Sequence, residues 1–331
     1  MNVTRRRHFF RIRRLLAASV LIGLVAGTAI AQDSYPSKVI HLVVTTAAGG
    51  ANDLVARTVA QRLSDSMGRP MIVDNEPAGN GSVAAGEVAR AAPDGYTLMM
   101  VVDSTLTINP HLYKNIDYDV FRDFTPVSIV TRLPTVLLAR ADLPADNVAQ
   151  LVALAKANPG KLNYASTGVG TVLHVGMELF KIRTGIDIVH VPYRATTAAM
   201  NDLMGGRIDV ALAGITAALA HNPKLKVLAI TTEQRSPLLP DLPTVAESGV
   251  PGFNLDSWFA LLGPPKLPQP IIDRLTAELK KAAGDPRFSS VLERAGMQVV
   301  VSSSADMAAR MRADSAKWAD LIKTIGLTIN Q

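Results

Sequence analysis

The sequence predicts an α/β fold in which largely parallel strands alternate with helices. Short apolar runs rich in β-branched residues alternate with stretches whose apolar residues recur at helical spacing. Twice, at residues 39–53 and 162–171, an apolar run passes through a small glycine-bearing turn directly into a helical stretch. This order of strand, turn and helix is typical of parallel α/β sheets. The length of 331 residues suggests two domains or one large one, and 48% hydrophobic content is enough for a substantial core.

The individual elements follow from these patterns in chain order. The apolar runs predict strands at 40–45, 71–73, 97–102, 135–139, 162–165, 186–191, 208–213, 227–231 and 258–262. A first helix starts near Asn52, with Asn52 or Asp53 as its cap, because apolar residues recur on one face from there on. Further amphipathic stretches predict helices at 82–91, 147–157, 171–183, 196–204, 269–283 and 305–325.

The division into lobes follows from the lack of a Ser/Gly-rich linker. We therefore expect strands that cross between the lobes, and the runs 134–139 and 257–262 are the candidates because prolines or polar residues flank them. This places lobe one at 33–134 plus 257–331 and lobe two at 135–256.

Residues 1–31 have the pattern of a cleaved secretory signal. Six arginines precede an uncharged apolar run at 15–30, and Ala29-Ile30-Ala31 forms a small-x-small cleavage site. An uncleaved anchor is the alternative, but about sixteen apolar residues are short for a membrane span. The sequence Arg6-Arg7-His8-Phe9-Phe10 resembles a twin-arginine export motif, although a long basic region of an ordinary signal would look similar.

Removal of this leader changes the charge of the chain and the classes of protein that it fits. It takes six of the 34 basic residues and no acidic residue, which leaves 28 basic residues against 28 acidic ones. A neutral chain gives no reason to expect nucleic-acid binding. Because the sequence contains no cysteine, disulfides and a lipid anchor on cysteine are excluded. We expect an exported, soluble, monomeric protein of the periplasm.

The two glycine-bearing turns are the main candidate site. Each leaves backbone N–H groups at the positive end of a helix, where a carboxylate or phosphate can bind without a charged side chain. If the turns lie on two lobes, they can bind a small anion from both sides. The candidate residues of the first turn are Thr46, Ala47, Ala48, Gly49, Gly50, Asn52 and Asp53, and those of the second are Ser166, Thr167, Gly168, Val169, Gly170, Thr171 and His174.

Two further turns follow predicted strands in the same sense. Gly79 and Gly81 follow the strand at 71–73, and Ser104 and Thr105 follow the strand at 97–102. Because ligands of parallel α/β sheets bind at the carboxyl ends of the strands, we expect these residues near the same cleft. Some of these turns could instead serve only to cap helices.

Metal, cofactor and catalytic sites find little support. The histidines form no HExxH or HxH pattern, so we expect no metal. Gly168-x-Gly170 lacks the third glycine of a dinucleotide fingerprint, and we expect no cofactor. Ser166 with His174 could form the nucleophile and base of a secreted hydrolase, but Ser166 lacks the G-x-S-x-G context. We expect a binding protein and no enzyme.

Several motifs together resemble one family. The clearest are NYASTGVG at 163–170 followed by His174, HVPYR at 190–194 and LLPDLPTVAESG at 238–249. AGGAND at 48–53, INPHLY at 108–113, DFTPV at 123–127 and AKANPGKL at 155–162 support them. In this order, across essentially the whole chain after the leader, they resemble the Bug-type solute receptors of tripartite tricarboxylate transporters.

The resemblance implies a fold, a ligand class and a partner. It implies a two-lobed periplasmic binding protein of type II architecture, in which each lobe is a mostly parallel sheet flanked by helices and the ligand cleft lies between the lobes. Such a receptor closes on a small carboxylate (a di- or tricarboxylate, an aromatic carboxylate or an amino-acid-like compound) and delivers it to membrane permease subunits. By this resemblance, backbone amides of both glycine turns hold the carboxylate, and the loop Tyr193, Arg194, Ala195 and Thr196 lies at the edge of the cleft.

Departures from the family pattern concern the ligand. Thr45-Thr46 replaces a Pro-aromatic pair that is common in the first turn, and Arg194-Ala195 replaces Lys-Gly. We therefore expect a cleft that is more polar at one end than in relatives. A sensor of the same fold that signals to a membrane kinase stays open as an alternative.

Overall fold

The computed structural model describes residues 35–220 and 222–329. The predicted signal segment 1–31 lies outside the described residues. The described residues from Lys38 onward form one compact unit, and Tyr35, Pro36 and Ser37 belong to a separate one. Within the described residues, no helix combines the length and the apolar character that crossing a membrane requires.

Strands and helices alternate along the compact unit. The strands are β1 (Ile40–Val44), β2 (Met71–Asn75), β3 (Thr97–Val102), β4 (Thr125–Arg140), β5 (Asn163–Ser166), β6 (Val189–Pro192), β7 (Val210–Gly214), β8 (Leu225–Ile230), β9 (Asp256–Gly263) and β10 (Gln298–Val299). The helices are α1 (Ala51–Met67), α2 (Ser82–Ala89), α3 (Asp103–Thr107), α4 (Asn109–Leu112), α5 (Val148–Ala157), α6 (Val172–Thr184), α7 (Thr196–Met204), α8 (Thr216–Leu219), α9 (Gln269–Ala283), α10 (Pro286–Arg294) and α11 (Ser304–Ile325). A short 3-10 turn spans Ala78–Gly81.

The strands form a mixed sheet in the order β2-β1-β3-β9-β4-β7-β5-β6, and β8 and β10 also pair with β4. The outer strands agree with the predicted parallel arrangement, because β1 runs parallel to β2 and β3, and β5 runs parallel to β6 and β7. The centre differs, since β4 pairs antiparallel with β7, β8, β9 and β10. The turns that lead from a strand into a helix therefore follow strands of the parallel outer parts of the sheet. The antiparallel pairs of β4 connect these two outer parts.

β4 belongs to both halves of the sheet. Its residues 125–134 pair with β9, whereas residues 135–140 pair with β7 and β8. We call β1, β2, β3, β9, β10 and residues 125–134 the first half-sheet, and β5 to β8 with residues 135–140 the second half-sheet. The predicted crossing at 134–139 thus lies in β4.

The second crossing lies before the predicted segment 257–262. That segment is part of β9, which pairs with β3 and β4 in the first half-sheet. The chain returns from the second half-sheet to the first through Leu255, whose N–H donates to the carbonyl of Thr231 (2.8 Å). Thr231 lies next to β4, because its N–H donates to the carbonyl of Thr135 (3.0 Å). The lobe limits 33–134 plus 257–331 and 135–256 stay a prediction.

Several short elements escape the sequence patterns. The helices α3, α4 and α8 each span at most five residues, which is too short for an apolar period to show. β4 is longer than predicted because Pro126 and Pro134 interrupt its sequence pattern. These prolines donate no ladder hydrogen bond, yet β9 pairs alongside both of them, with shifts of register along its length.

A buried ion cluster lies where β4 passes from one half-sheet to the other. The carboxylate of Asp256 is almost fully buried and contacts the guanidinium groups of Arg132 and Arg310. Arg310 also donates to Asp314 (2.7 Å), which accepts the indole N–H of the buried Trp258 (2.8 Å). Burial would raise the pKa of Asp256, but the charges and hydrogen bonds of Arg310 and Arg132 outweigh it and lower this pKa. The cluster connects β4, β9 and α11.

We expect Asp256→Asn to destabilise the protein because it leaves Arg132 and Arg310 partly buried beside a neutral amide. The loss in the free energy of unfolding should be about 3–5 kcal/mol, measured by urea denaturation. Asp123→Asn is the control, since its partner Arg122 is exposed and the loss there should stay below about 1 kcal/mol. Equal losses in the two variants would contradict a stabilising role for the cluster.

Candidate functional site

A cleft of about 630 Å³ receives residues from both half-sheets and their connecting turns. From the first half-sheet and the elements that follow its strands, the lining residues are Thr46, Gly49, Gly50, Ala51, Asp53, Leu54, Arg57, Asn80, Val102, Ser104, Leu133, Ser257, Ala295 and Met297. From the second, they are Thr135, Thr167, Thr171, Val172, Leu173, Thr196, Gly214 and Thr216. Both predicted glycine turns therefore contribute to one cleft.

The first turn leads from β1 into α1 and exposes the start of that helix. None of the side chains that the structure describes caps α1. Among the described residues, the N–H groups of Gly50 and Ala51 have no acceptor, and both residues line the cleft. The N–H of Gly49 differs from the prediction, because it donates to the carboxylate of Asp53 (2.9 Å). Two N–H groups of this turn are thus available for a ligand.

Other candidates of the first turn hold its shape. Asn52 is buried, and its amide donates to the carbonyl of Met100 (3.1 Å), which fixes α1 against β3. Ala47 and Ala48 are exposed and do not line the cleft. Thr45 is buried, whereas its neighbour Thr46 lines the cleft.

Asp53 and Arg57 place two opposite charges on the cleft wall. Arg57 Nε donates to the Asp53 carboxylate (2.9 Å), which also accepts from the amide of Asn75 (3.0 Å). Burial would raise the pKa of Asp53, but the hydrogen bonds from Arg57, Gly49 and Asn75 outweigh it and lower this pKa. The charges therefore largely cancel at neutral pH. Arg57 was not among the predicted site residues, although its i,i+4 spacing from Asp53 could have indicated it.

The second turn leads from β5 into α6, and Thr171 caps that helix. Its glycine N–H groups are engaged within the turn, unlike the prediction that they are free. The N–H of Gly168 donates to Ser166 Oγ (3.2 Å), and the N–H of Gly170 donates to His174 Nδ1 (3.1 Å). The free N–H groups are instead those of Val172 and Leu173 at the start of α6, and both residues line the cleft.

The remaining residues of the second turn divide between the cleft and its support. Thr167 and Thr171 line the cleft. Ser166, Gly170 and His174 are buried and are not part of its wall, and Gly168 and the exposed Val169 do not line it either. This division follows from the turn, because the side chains that accept its N–H groups must point into the protein and away from a ligand.

A stack of rings supports the second turn from behind. His174 lies against His190 with ring centroids 4.1 Å apart, and His190 lies against Tyr164 at 4.8 Å. Burial, followed by the neighbouring His190, lowers the pKa of His174 to about 4, so this ring is neutral at pH 7. Ser166 Oγ contacts His190 Nε2 (2.7 Å) and not His174, so the pair expected for a hydrolase does not form. Ser166 is also only 2% exposed.

The third turn contributes Asn80 in place of the predicted Gly79 and Gly81. Asn80 lines the cleft, and its amide donates to Asn109 (2.9 Å). Gly81 packs against Thr45 so closely that a Cβ there would lie 2.6 Å from the threonine Cβ. Of the pair after β3, Ser104 lines the cleft, whereas Thr105 is fully buried and supports the third turn.

In the loop before α7, one of four predicted residues reaches the cleft. Thr196, the first residue of α7, lines it. Tyr193, Arg194 and Ala195 do not. The hydroxyl of Tyr193 donates to Asp202 (2.6 Å), which anchors the loop to α7.

The cleft also contains residues that the sequence analysis missed. They are Ala51, Leu54, Arg57, Asn80, Val102, Leu133, Thr135, Val172, Leu173, Gly214, Thr216, Ser257, Ala295 and Met297. Some of them, such as Ala51, Val172 and Leu173, lie next to the predicted glycine turns in the sequence, and slightly longer turns would have included them. Ala295 and Met297 could not have been found in this way, because contacts between residues distant in the sequence place them beside the cleft: β10 pairs with β4, and Gly296 packs against Thr216.

The sequence model of the tripartite tricarboxylate transporter family receptor matches residues 55–327. The chain belongs to this family. Among relatives of this receptor, protein BugT of Bordetella pertussis is 32% identical over 318 residues, covering 95% of this chain and 98% of BugT. A protein in the tcbD-tcbE intergenic region of Pseudomonas sp. strain P51 is 33% identical over 325 residues, covering 96% of both chains.

Solved structures give the same result. Rpa4515 of R. palustris, solved with adipate, superposes with a TM-score of 0.79 at 33% identity and covers 89% of this chain and 100% of its own. MatC of Rhodopseudomonas palustris, solved with bound malate, superposes with a TM-score of 0.75 at 29% identity and covers 87% of this chain and 100% of its own. The predicted family and fold class are therefore confirmed, and the family is one of solute-binding receptors.

We expect Gly170→Ala to disturb the contact between the second turn and α4. Gly170 has a φ of +79°, and a Cβ there would lie 2.1 Å from Leu112 Cδ2. Gly185→Ala is the matched control, since Gly185 has a φ of +65° and no atom near its Cβ position. The backbone cost should be about 1–2 kcal/mol in both variants, and Gly170→Ala should lose about 1–3 kcal/mol more in chemical denaturation. Equal losses in the free energy of unfolding would show that the Leu112 side chain moves aside at no energetic cost.

His174 should make stability depend on pH. Its pKa falls from 6.5 to about 4 on folding, so between these values the unfolded chain binds a proton that the native protein does not. The free energy of unfolding should therefore fall by up to about 3 kcal/mol as the pH falls through this range.

The matched variant is His174→Asn, whose amide oxygen can still accept the Gly170 N–H but does not titrate. Urea denaturation at pH 4 to 8 should give a flatter profile for this variant than for the wild type. Parallel profiles would mean that the ring does not stay neutral in the native protein.

Proposed function

We propose that this receptor captures a small carboxylate in its cleft and delivers it to the permease of a tripartite tricarboxylate transporter. The observation that carries the proposal is the convergence of two helix starts on one cleft. The free N–H groups of Gly50 and Ala51 come from α1, and those of Val172 and Leu173 come from α6. Together they supply four donors and two positive helix ends for an anion.

The charge of the cleft favours this mode of binding. Asp53 and Arg57, the charged side chains of the described lining, pair with each other and add no net charge. A carboxylate that enters the cleft loses water, and this loss is costly unless hydrogen bonds replace it. The backbone donors, directly or through ordered water, provide that compensation without side-chain rearrangement.

Hinge closure would complete the site. The two half-sheets share β4, and the second connection runs next to it through Thr231 and Leu255. Two adjacent connections permit a rotation of one lobe against the other. A ligand that contacts both helix starts stabilises the closed arrangement, because only closure allows it to use both sets of donors. The permease would then recognise the closed receptor in the periplasm.

The family relatives support the ligand class. Rpa4515 was solved with adipate and MatC with malate, and both are aliphatic dicarboxylates. Both structures superpose on most of this chain. We therefore propose a small carboxylate over phosphate as the anion.

Isothermal titration against mono-, di- and tricarboxylates tests the proposal, and at least one should bind stoichiometrically. Ala51→Pro should then weaken that binding at least about tenfold, because it deletes one N–H donor to a charged group. Proline is well tolerated at the first helical position, and Gly50 before it is already extended (φ −84°, ψ 176°).

Ser304→Pro is the matched control. Ser304 is the first residue of α11, follows the extended Ser303 (φ −71°, ψ 160°) and does not line the cleft. The Ser304→Pro variant should bind the same carboxylate with the affinity of the wild type. Failure of every carboxylate to bind, or equal affinities of the two proline variants, would overturn the proposal.

A further inference from the structure

A buried carboxyl group lies one side chain away from the cleft. Asp103 begins α3, directly after β3, and is only 2% exposed. Among the described residues, the hydrogen-bond partner of its side chain is Ser257, whose Oγ lies 2.9 Å from Asp103 Oδ1. Ser257 itself lines the cleft. The hydrogen bond between them therefore connects the cleft wall to a carboxyl group in the protein interior.

The charges around Asp103 disfavour its ionised form. No cation of the described residues forms an ion pair with it, because Arg132 and Arg310 contact the carboxylate of Asp256 and Arg310 also contacts Asp314. Burial, followed by the negative charges of Asp314 and Asp256, raises the pKa of Asp103 to about 8. The carboxyl group is therefore mostly protonated at neutral pH.

Other ionisable groups lie near Asp103, since α3 packs against β3, β9, α4 and α11. β3 carries none, and the others supply Asp256, His111, Arg310, Asp314 and Lys317, while Tyr118 donates to the carbonyl of Thr105 in α3. Burial lowers the pKa of His111 and raises that of Tyr118 to about 12. Burial also lowers the pKa of Lys317, whose ammonium donates to the carbonyl of Asn254 (2.6 Å). Lys317 is therefore a second group that can titrate at alkaline pH.

The protonation state of Asp103 decides what Ser257 can offer a ligand. A serine hydroxyl has one proton to donate, and an ionised carboxylate can only accept. An ionised Asp103 therefore engages the proton of Ser257. A protonated Asp103 can instead donate to Ser257 Oγ, and the serine proton is then free for a carboxylate in the cleft.

A bound carboxylate also favours the protonated state of Asp103 through its charge. A new negative charge near the wall and the removal of water from the cleft both disfavour an ionised carboxyl group close by. Proton binding and ligand binding therefore strengthen each other, and this coupling is reciprocal.

We propose that Asp103 is a positioning residue that carries a proton when the ligand binds, so that Ser257 donates to the ligand carboxylate. The proposal rests on the proposed function, because it requires a carboxylate in the cleft. It makes capture depend on pH. Affinity is highest below about pH 8, where the free receptor already holds the proton, and falls as the pH rises above this value.

Titration calorimetry with the panel of carboxylates, malate and adipate included, measures this proton. Titrations in two buffers of different ionisation enthalpy give the number of protons that the protein takes up per ligand bound. Uptake should approach one proton at pH 9, where the free Asp103 is mostly ionised, and should be small at pH 7. Affinity should fall by up to about tenfold per pH unit above pH 8.

Two variants assign the proton and the donor. The amide of Asp103→Asn can donate to Ser257 at every pH, so proton uptake at pH 9 should vanish and affinity should stay at its neutral-pH value. Ser257→Ala should weaken binding at pH 7 at least about threefold, because a donor to a charged group is lost.

Lys317→Arg is the matched control for the second titratable group. The guanidinium keeps the positive charge but does not lose its proton in this pH range. This variant should take up a proton at pH 9 as the wild type does.

The outcomes separate this proposal from carboxylate capture. Tight binding without proton uptake by the wild type at pH 9 would overturn the proposal and leave capture intact. Uptake that persists in Asp103→Asn or vanishes in Lys317→Arg would overturn the role of Asp103, and unchanged affinity of Ser257→Ala at pH 7 would overturn that of Ser257. Absence of binding by every acid of the panel would overturn both proposals.

Discussion

The architecture of this receptor depends on one shared strand. β4 hydrogen-bonds to the first half-sheet before Thr135 and to the second from Thr135 onward. Because the parallel strands of each half-sheet end near this crossing, the turns that follow them open into the same cleft. The buried ions of Asp256, Arg132 and Arg310 lie beside the crossing and hold α11 there. The position of the site is therefore a consequence of the sheet order.

The same arrangement separates support from recognition within each turn. Some N–H groups of the turns donate to side chains of the same turn. The N–H of Gly49 donates to the carboxylate of Asp53, and the N–H of Gly170 donates to His174 Nδ1. These bonds fix the turns while the next N–H groups at the helix starts stay free for a ligand. The neutral ring of His174 suits this role, since a charged imidazole could not accept a hydrogen bond at Nδ1. Rigid turns with a few free donors bind an anion without reorganisation.

Sequence patterns predicted the features that depend on local order. The strand, turn and helix at 39–53 indicated the free helix start at Gly50, and the α/β class followed from alternation of the runs. They did not predict which glycine N–H groups donate to protein side chains, because this depends on side-chain rotamers such as those of Asp53 and Ser166. Met297 could not be predicted at all, since contacts between residues distant in the sequence, such as the pairing of β10 with β4, bring it to the cleft.

The proposed function requires that two helix starts hold one carboxylate through backbone N–H groups. Amide chemical shifts, followed by NMR during titration with a carboxylate that binds, test it most directly. We expect the amide signals of Gly50, Ala51, Val172 and Leu173 to move together to lower field, with one dissociation constant. Shifts confined to one of the two helix starts, or located away from both, would contradict it.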